Sequence, residues 1–183
     1  MTGVQTCALP ISLYEPGDPL NEATRMGAMV DKAQTNRVLG YIAKGREEGA
    51  ALRLGGRQVR QNTGGFYIEP TIFDAVDNRM TIAREEIFGP VLSAMTFKTP
   101  DEALKIANDS FYGLEANLWT NDLTKAHRMA RALRAGTVTV NTRDGGGIEV
   151  PFGGYKQSGF GRDKSLHALE KYTQLKTTYI NLG

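Results

Sequence analysis

The chain has 183 residues, 40% of them hydrophobic, and its 22 Lys and Arg against 20 Asp and Glu leave a formal charge of +2. That length buries one substantial core and is short for two independent ones. The two signs are interspersed rather than gathered into a basic stripe, which argues against nucleic acid as a partner. No apolar run approaches the ~20 residues that a membrane-crossing helix needs. The first residues show no basic start followed by a sustained apolar run, and the one cysteine, Cys7, cannot form an internal disulfide. A soluble protein in the reducing cytoplasm is expected.

In chain order, the first clear element is DKAQTNRVLGYIAKGREE from Asp31 to Glu48. Val38, Leu39, Ile42 and Ala43 share one helical face, Asp31 suits the N-cap and Gly49 a stop, so the pattern predicts a surface helix over a sheet. ALRLGG then reads as a short strand and turn, and GFYIEPTIF as a longer strand in which Pro70 marks an edge or an end. VLSAMTF has the length of another strand. TPDEALKIANDS carries the marks of a helix start: Thr99 as cap, Pro100 in the first turn, and Asp101 and Glu102 at the positive end of the helix dipole.

YGLEANLWT reads as a strand, and NDLTKAHRMARALRAG as a helix with a stripe of Leu123, Ala126, Met129, Ala130 and Leu133 ending at Gly136. TVTVN resumes as a strand. Strands alternating with helices predict an α/β fold with a mainly parallel sheet and crossover helices. The final YTQLKTTYINL reads as one more strand, one that leaves the domain.

Two stretches carry chemistry. REEIFGP, Arg84 to Pro90, is either charged residues leading into a turn with Phe88 in the core, or a carboxylate for a ribose with Phe88 as a wall beside a flat ring. An ionised carboxylate is acceptor-only, so two hydroxyls can donate to its two oxygens. VNTRDGGGIEVPFGGYKQSGFGR, Val140 to Arg162, is rich in glycine but has neither the phosphate-loop pattern ending in Gly-Lys-Ser/Thr nor a complete Gly-x-Gly-x-x-Gly before a helix. It reads as an ordered loop whose glycines let backbone approach backbone or ligand, with Phe152 as an apolar surface for a substrate. His127 and His167 have no ligand partner at metal spacing, so no metal is expected. Lys156 is expected to satisfy local backbone or a carboxylate.

TIAREEIFGPVL, DSFYGLEANLWTNDL, AGTVTVN and PFGGYKQSGFGRDKSLHALEKYTQLKTTYI occur in the order and approximate spacing of the C-terminal part of the aldehyde dehydrogenase superfamily. The resemblance runs from about Gly17 to Leu182. The tail is most similar to bacterial aminoaldehyde dehydrogenases of the gamma-glutamyl-gamma-aminobutyraldehyde type. It implies a partial catalytic domain over residues 17–170, an oligomerisation strand over 171–183, and a homodimer or tetramer in the intact enzyme.

The implied reaction oxidises a small-molecule aldehyde to a carboxylic acid with NAD or NADP. A cysteine thiolate adds to the carbonyl carbon, hydride passes from that carbon to the nicotinamide, and a glutamate-activated water hydrolyses the thioester.

Carried over by motif, Glu86 resembles the carboxylate for the nicotinamide ribose and Phe88 the aromatic beside the nicotinamide end, with Glu85 in a supporting place. Phe152 resembles an aromatic of the substrate funnel. Asp163 is either a carboxylate linked to a proton path or the N-cap of KSLHALEKY. Asn141 resembles the strand-end asparagine of the family. Thr142 and Arg143 depart from the family pattern, and Asp144 is either a turn aspartate or an attractor for the cationic end of an aminoaldehyde.

Cys7 is not read as the nucleophile. Gly17 follows only ten positions after it, too few for the helix and strand the family places there, and Pro10 breaks a helix. Residues 1–16 are expected to be non-native, of sequencing-adaptor origin, or disordered. The nucleophile and the base are then missing, and the chain is expected to be inactive alone. The alternative is a non-catalytic oligomerisation partner of a full-length enzyme.

Overall fold

The structure, a computed structural model, describes residues 11–143 and 145–183. Cys7 and Asp144 lie outside the described residues. The chain divides into two compact units, residues 1–96 and 97–183.

The first unit is organised by helix α1 (Lys32–Glu47), capped as its sequence predicts: the Asp31 carboxylate accepts from Gln34 N at 2.7 Å. Its buried face is Thr35, Val38, Ile42 and Gly45, while Ala43 is exposed. The apolar stripe therefore runs one step away from the expected face, because two small residues, Thr35 and Gly45, extend it. Strands β1 (Ala51–Leu54), β4 (Thr71–Asp74) and β5 (Val91–Ser93) form a sheet with β4 in the centre. Between them in the chain, β2 (Gln58–Val59) and β3 (Tyr67–Ile68) pair as an antiparallel ribbon.

GFYIEPTIF is thus two strands in two sheets. Pro70 has no N–H to give a ladder, and the chain changes partner there. Phe73, Ile68, Val38, Ile42 and Ile82 form the core of this unit, each at most 4% exposed. Burial of each such side chain stabilises by about 1.5–3 kcal/mol.

The sheet is mixed rather than mainly parallel. β4 runs antiparallel to β1 and parallel to β5. The link from β4 to β5 passes through the short helix α2 (Thr81–Arg84) and so returns in the parallel sense, whereas β1 reaches β4 by way of the ribbon.

The second unit holds α3 (Pro100–Asn108), β6 (Glu115–Leu118), α4 (Leu123–Ala132) and β7 (Thr137–Val140). Here strand, helix, strand gives a parallel pair, from Glu115 opposite Thr137 to Leu118 opposite Val140. Thr99 caps α3 and Asp122 caps α4 through their side chains. Leu123 is 73% exposed, so the stripe of α4 starts at Ala126. The helix ends at Ala132, short of Gly136, because the Asn108 side chain takes over: its Nδ2 donates to Ala132 O and its Oδ1 accepts from Arg134 N.

After a 3₁₀ helix at Leu166–Tyr172, residues 173–183 have no regular secondary structure. The expected last strand is not formed within the chain, as a strand needs a hydrogen-bonded neighbour. Leu175, Tyr179, Ile180 and Leu182 are each more than 70% exposed. No helix among the described residues is long and apolar enough to cross a membrane.

Candidate cofactor and substrate site

The segment from Glu85 to Gly89 alternates in what its residues touch. Glu85 accepts from Tyr41 Oη at 2.8 Å. Ile87 sits in the core at 8% exposure. Gly89 lies so near α1 that a Cβ there would come within 2.5 Å of Val38 Cγ2. The residues between, Glu86 and Phe88, face outward, and Phe88 is 73% exposed. Gln34 on α1 fixes the strip by donating from Nε2 to Ile87 O at 3.1 Å and Phe88 O at 3.0 Å. Phe88 has φ +52°, a left-handed conformation that costs a non-glycine residue of order 1–3 kcal/mol and persists only where the surroundings hold it. Phe88 is therefore an exposed aromatic in a held backbone and does not fill the core.

The Glu86 carboxylate makes no hydrogen bond or ion pair among the described residues. Two free acceptor oxygens beside an exposed aromatic fit a ribose diol and a flat ring. Glu85, in contrast, is committed to Tyr41. Upstream, Glu48 accepts from Thr81 N at 2.7 Å and from Thr81 Oγ1 at 2.6 Å, so it caps α2 from a distance. The Thr81 hydroxyl is the main reason its carboxyl is held below the usual range. Glu48 and Thr81 were not identifiable from sequence, because 33 positions separate the partners; the only signal is the spacing of residues 34, 38, 41, 45 and 48 along one face of α1 and its C-terminal end.

In the second unit the glycine-rich loop is stitched to the turn between α3 and β6. Gly113 O accepts from both Gly136 N at 3.0 Å and Tyr155 N at 2.8 Å, and Gly113 N donates to Ser158 Oγ at 3.0 Å. Lys156 reaches the end of α3, donating to Asn108 O at 2.8 Å and Ser110 O at 3.0 Å, so it satisfies backbone as expected, though backbone distant in the chain rather than local. Phe152 and Asp163 come together in an antiparallel bridge, with N–H to O distances of 2.8 and 2.6 Å. Lys164 Nζ lies 5.6 Å from the centre of the Phe152 ring, a cation–π contact.

Asp163 is exposed and ion-paired with Lys171. It is not a helix cap, because Ser165 fills that place by accepting from His167 N. Asn141, at φ +58°, donates from Nδ2 to Thr120 O at 2.9 Å and accepts at Oδ1 from Thr120 N at 2.8 Å, extending the β6–β7 ladder with its side chain. His127 and His167 are exposed, and no three His, Cys, Asp or Glu among the described residues converge as metal ligands.

Residues 7–178 match the aldehyde dehydrogenase family. The match takes in residues 7–16, and of these Pro16 is already tied in by a bridge to Met26 and by Arg60 Nη1 at 2.9 Å. The betaine aldehyde dehydrogenase of Rhizobium etli (strain CIAT 652) is 51% identical over 168 residues, 91% of this chain and 34% of that protein. The NADP/NAD-dependent aldehyde dehydrogenase PuuC of Escherichia coli (strain K12) is 53% identical over 170 residues, 92% of this chain and 33% of that protein. The crystal structure of gamma-glutamyl-gamma-aminobutyraldehyde dehydrogenase from Burkholderia cenocepacia J2315 superposes with a TM-score of 0.91 at 56% identity, over 96% of this chain and 35% of that one. The chain spans about a third of the length of these relatives. With matching motifs, matching fold and a family match over nearly its whole length, this chain belongs to the aldehyde dehydrogenase family.

Proposed function

We propose that the chain is the C-terminal part of an NAD(P)-dependent aldehyde dehydrogenase that oxidises a small aldehyde, of the aminoaldehyde class, to a carboxylic acid. The observation that carries this is the outward-facing pair Glu86 and Phe88 on a segment pinned to α1, in a chain of this family.

The cofactor, when bound, supplies the hydride acceptor. Glu86 accepts from the two hydroxyls of the nicotinamide ribose, and Phe88 walls the nicotinamide end and keeps water from it. Phe152 offers its ring to the aldehyde, Asp144 draws the cationic end of an aminoaldehyde, and Asp163 joins the proton path. The thiolate and the base come from parts of the enzyme outside this chain, and Cys7 is not the nucleophile. By itself the chain turns nothing over.

The intact enzyme is a cytoplasmic homodimer or tetramer; the exposed Leu175, Tyr179, Ile180 and Leu182 support association. The same tail favours a second reading, a non-catalytic partner that lends its last segment to a full-length enzyme. Co-purification with such an enzyme at fixed stoichiometry separates the two.

The experiment has two arms. The purified chain, given an omega-aminoaldehyde with NAD or NADP, should form no reduced cofactor; turnover that survives thiol alkylation would sink the proposal. A chimera in which residues 17–183 replace the matching third of the Escherichia coli relative should oxidise aldehyde. A folded chimera without activity counts equally against it.

A further inference from the structure

Residues 34, 38, 41 and 45, and the C-cap residue Glu48, follow one another by alternate steps of four and three, so they line one face of α1 and its C-terminal end. Each meets the segment that leads to the cofactor pair. Gln34 holds the carbonyls of Ile87 and Phe88, Val38 meets Gly89, and Tyr41 bonds Glu85. A Cβ on Gly45 would lie 2.9 Å from Ile82 Cδ1, so this glycine lets α2 come close. Glu48 holds Thr81 by both backbone N–H and hydroxyl. The order is near-antiparallel, with α1 acting as a ruler along which residues 81–89 are laid.

The far end of that ruler matters most, because α2 has only four residues and cannot persist on its own hydrogen bonds. Its first N–H groups need an acceptor from elsewhere. Met80, at the N-cap position, makes no side-chain capping hydrogen bond, and its Sδ accepts from Asp77 N instead. Glu48 fills that place with a negative charge at the positive end of the helix. Ser93 Oγ holds the helix from a further side by donating to Ile82 O at 3.0 Å. The chain then runs directly from Arg84 into Glu85 and Glu86.

We propose that Glu48 is a positioning residue for the cofactor site: by capping α2 through Thr81 it sets where α2 delivers the Glu86 carboxylate and the Phe88 ring. The proposal rests on the reading of Glu86 and Phe88 given above. Glu48 itself touches neither.

The test uses the full 183-residue chain with 4-fluorophenylalanine placed only at position 88, where the exposed ring tolerates the label. Hydrogen exchange at the Arg84 and Glu85 amides, which donate to Met80 O and Thr81 O, reports the integrity of α2. The fluorine resonance reports the position of Phe88. In Glu48→Gln and in Thr81→Ala the two amides should exchange about tenfold faster, the change a lost cap produces. The fluorine signal should move in both, while the core amides of Ile42 and Phe73 stay as protected as before.

The double variant should add little to either single one, since one interaction is being removed twice, and Thr81→Ser should restore both readouts. Faster exchange with an unmoved fluorine signal would mean a cap that is structural only, and would overturn the proposal; so would unchanged exchange. Glu86→Gln in the chimera addresses the reading of the pair separately. If that variant is silent while the fluorine signal moves with Glu48, the reading of Glu86 fails and the positioning stands.

Discussion

Gly136 is the position where the second unit tolerates a side chain least. A Cβ built there would lie 2.8 Å from the carbonyl carbon of Gly153, closer still to its oxygen, and 3.3 Å from Gly154 Cα. Two carbons meet comfortably at about 3.5 Å or more, so the start of β7 and the Pro-Phe-Gly-Gly turn must separate. The obstacle is backbone on both sides, and no rotamer relieves it.

Separation strains the two hydrogen bonds that share Gly113 O, from Gly136 N at 3.0 Å and Tyr155 N at 2.8 Å. Each contributes about 1 kcal/mol net, and overpacking adds about 1–3 kcal/mol. Gly136→Ala should therefore destabilise the second unit by about 3 kcal/mol or more. Trp119, the one tryptophan, lies in that unit and reports its unfolding in urea. With a slope of about 1–3 kcal/mol per molar, the midpoint should fall by roughly 1 M or more. A fall below about 0.3 M would refute the close approach described for this loop.

Three further outcomes follow from the same contacts. Lys156→Met removes the cation from Asn108 O and Ser110 O and should cost about 1.5–3 kcal/mol in the same urea assay, the worth of a charged hydrogen bond. Asn141→Ala loses both bonds to Thr120 and leaves alanine at φ +58°; hydrogen exchange at the Thr120 amide should accelerate while that of Ala126 does not. The Asp77 carboxyl, hydrogen-bonded by Arg79, is lowered from 3.8 to about 2. A depressed carboxyl contributes stability above its unfolded value and loses it as pH falls through the folded one. Thermal melts of the wild type should therefore lose stability between about pH 4 and pH 2, and Asp77→Asn should flatten that limb.

What was legible in the sequence was local. Asp31 and Thr99 cap α1 and α3 as their spacing predicts. The parallel pairing of β6 and β7 follows from a helix of adequate length between them. Pairings across long separations were not legible. Nothing local says that β1 meets β4 antiparallel, or that Pro70 divides one apolar run between two sheets.

The same limit applies to the site. Glu86 and Phe88 stood out by motif, but the alternation that turns them outward depends on Gln34, Val38 and Tyr41, more than forty positions away. Asp163 read as a cap for the last helical segment, but the structure gives that place to Ser165, which had not stood out in the sequence. The last residues read as a strand from their composition, yet a strand is a property of two neighbours.

The central claim is that Glu86, and not its neighbour Glu85, holds the nicotinamide ribose. Steady-state kinetics of the chimera with varied cofactor test it most directly. Glu86→Gln should raise KM for the cofactor about tenfold, the low end for a charge-assisted contact near solvent. Glu85→Gln, which disturbs only Tyr41, should change it by less than about threefold. Equal effects, or a larger one at Glu85, would contradict the account.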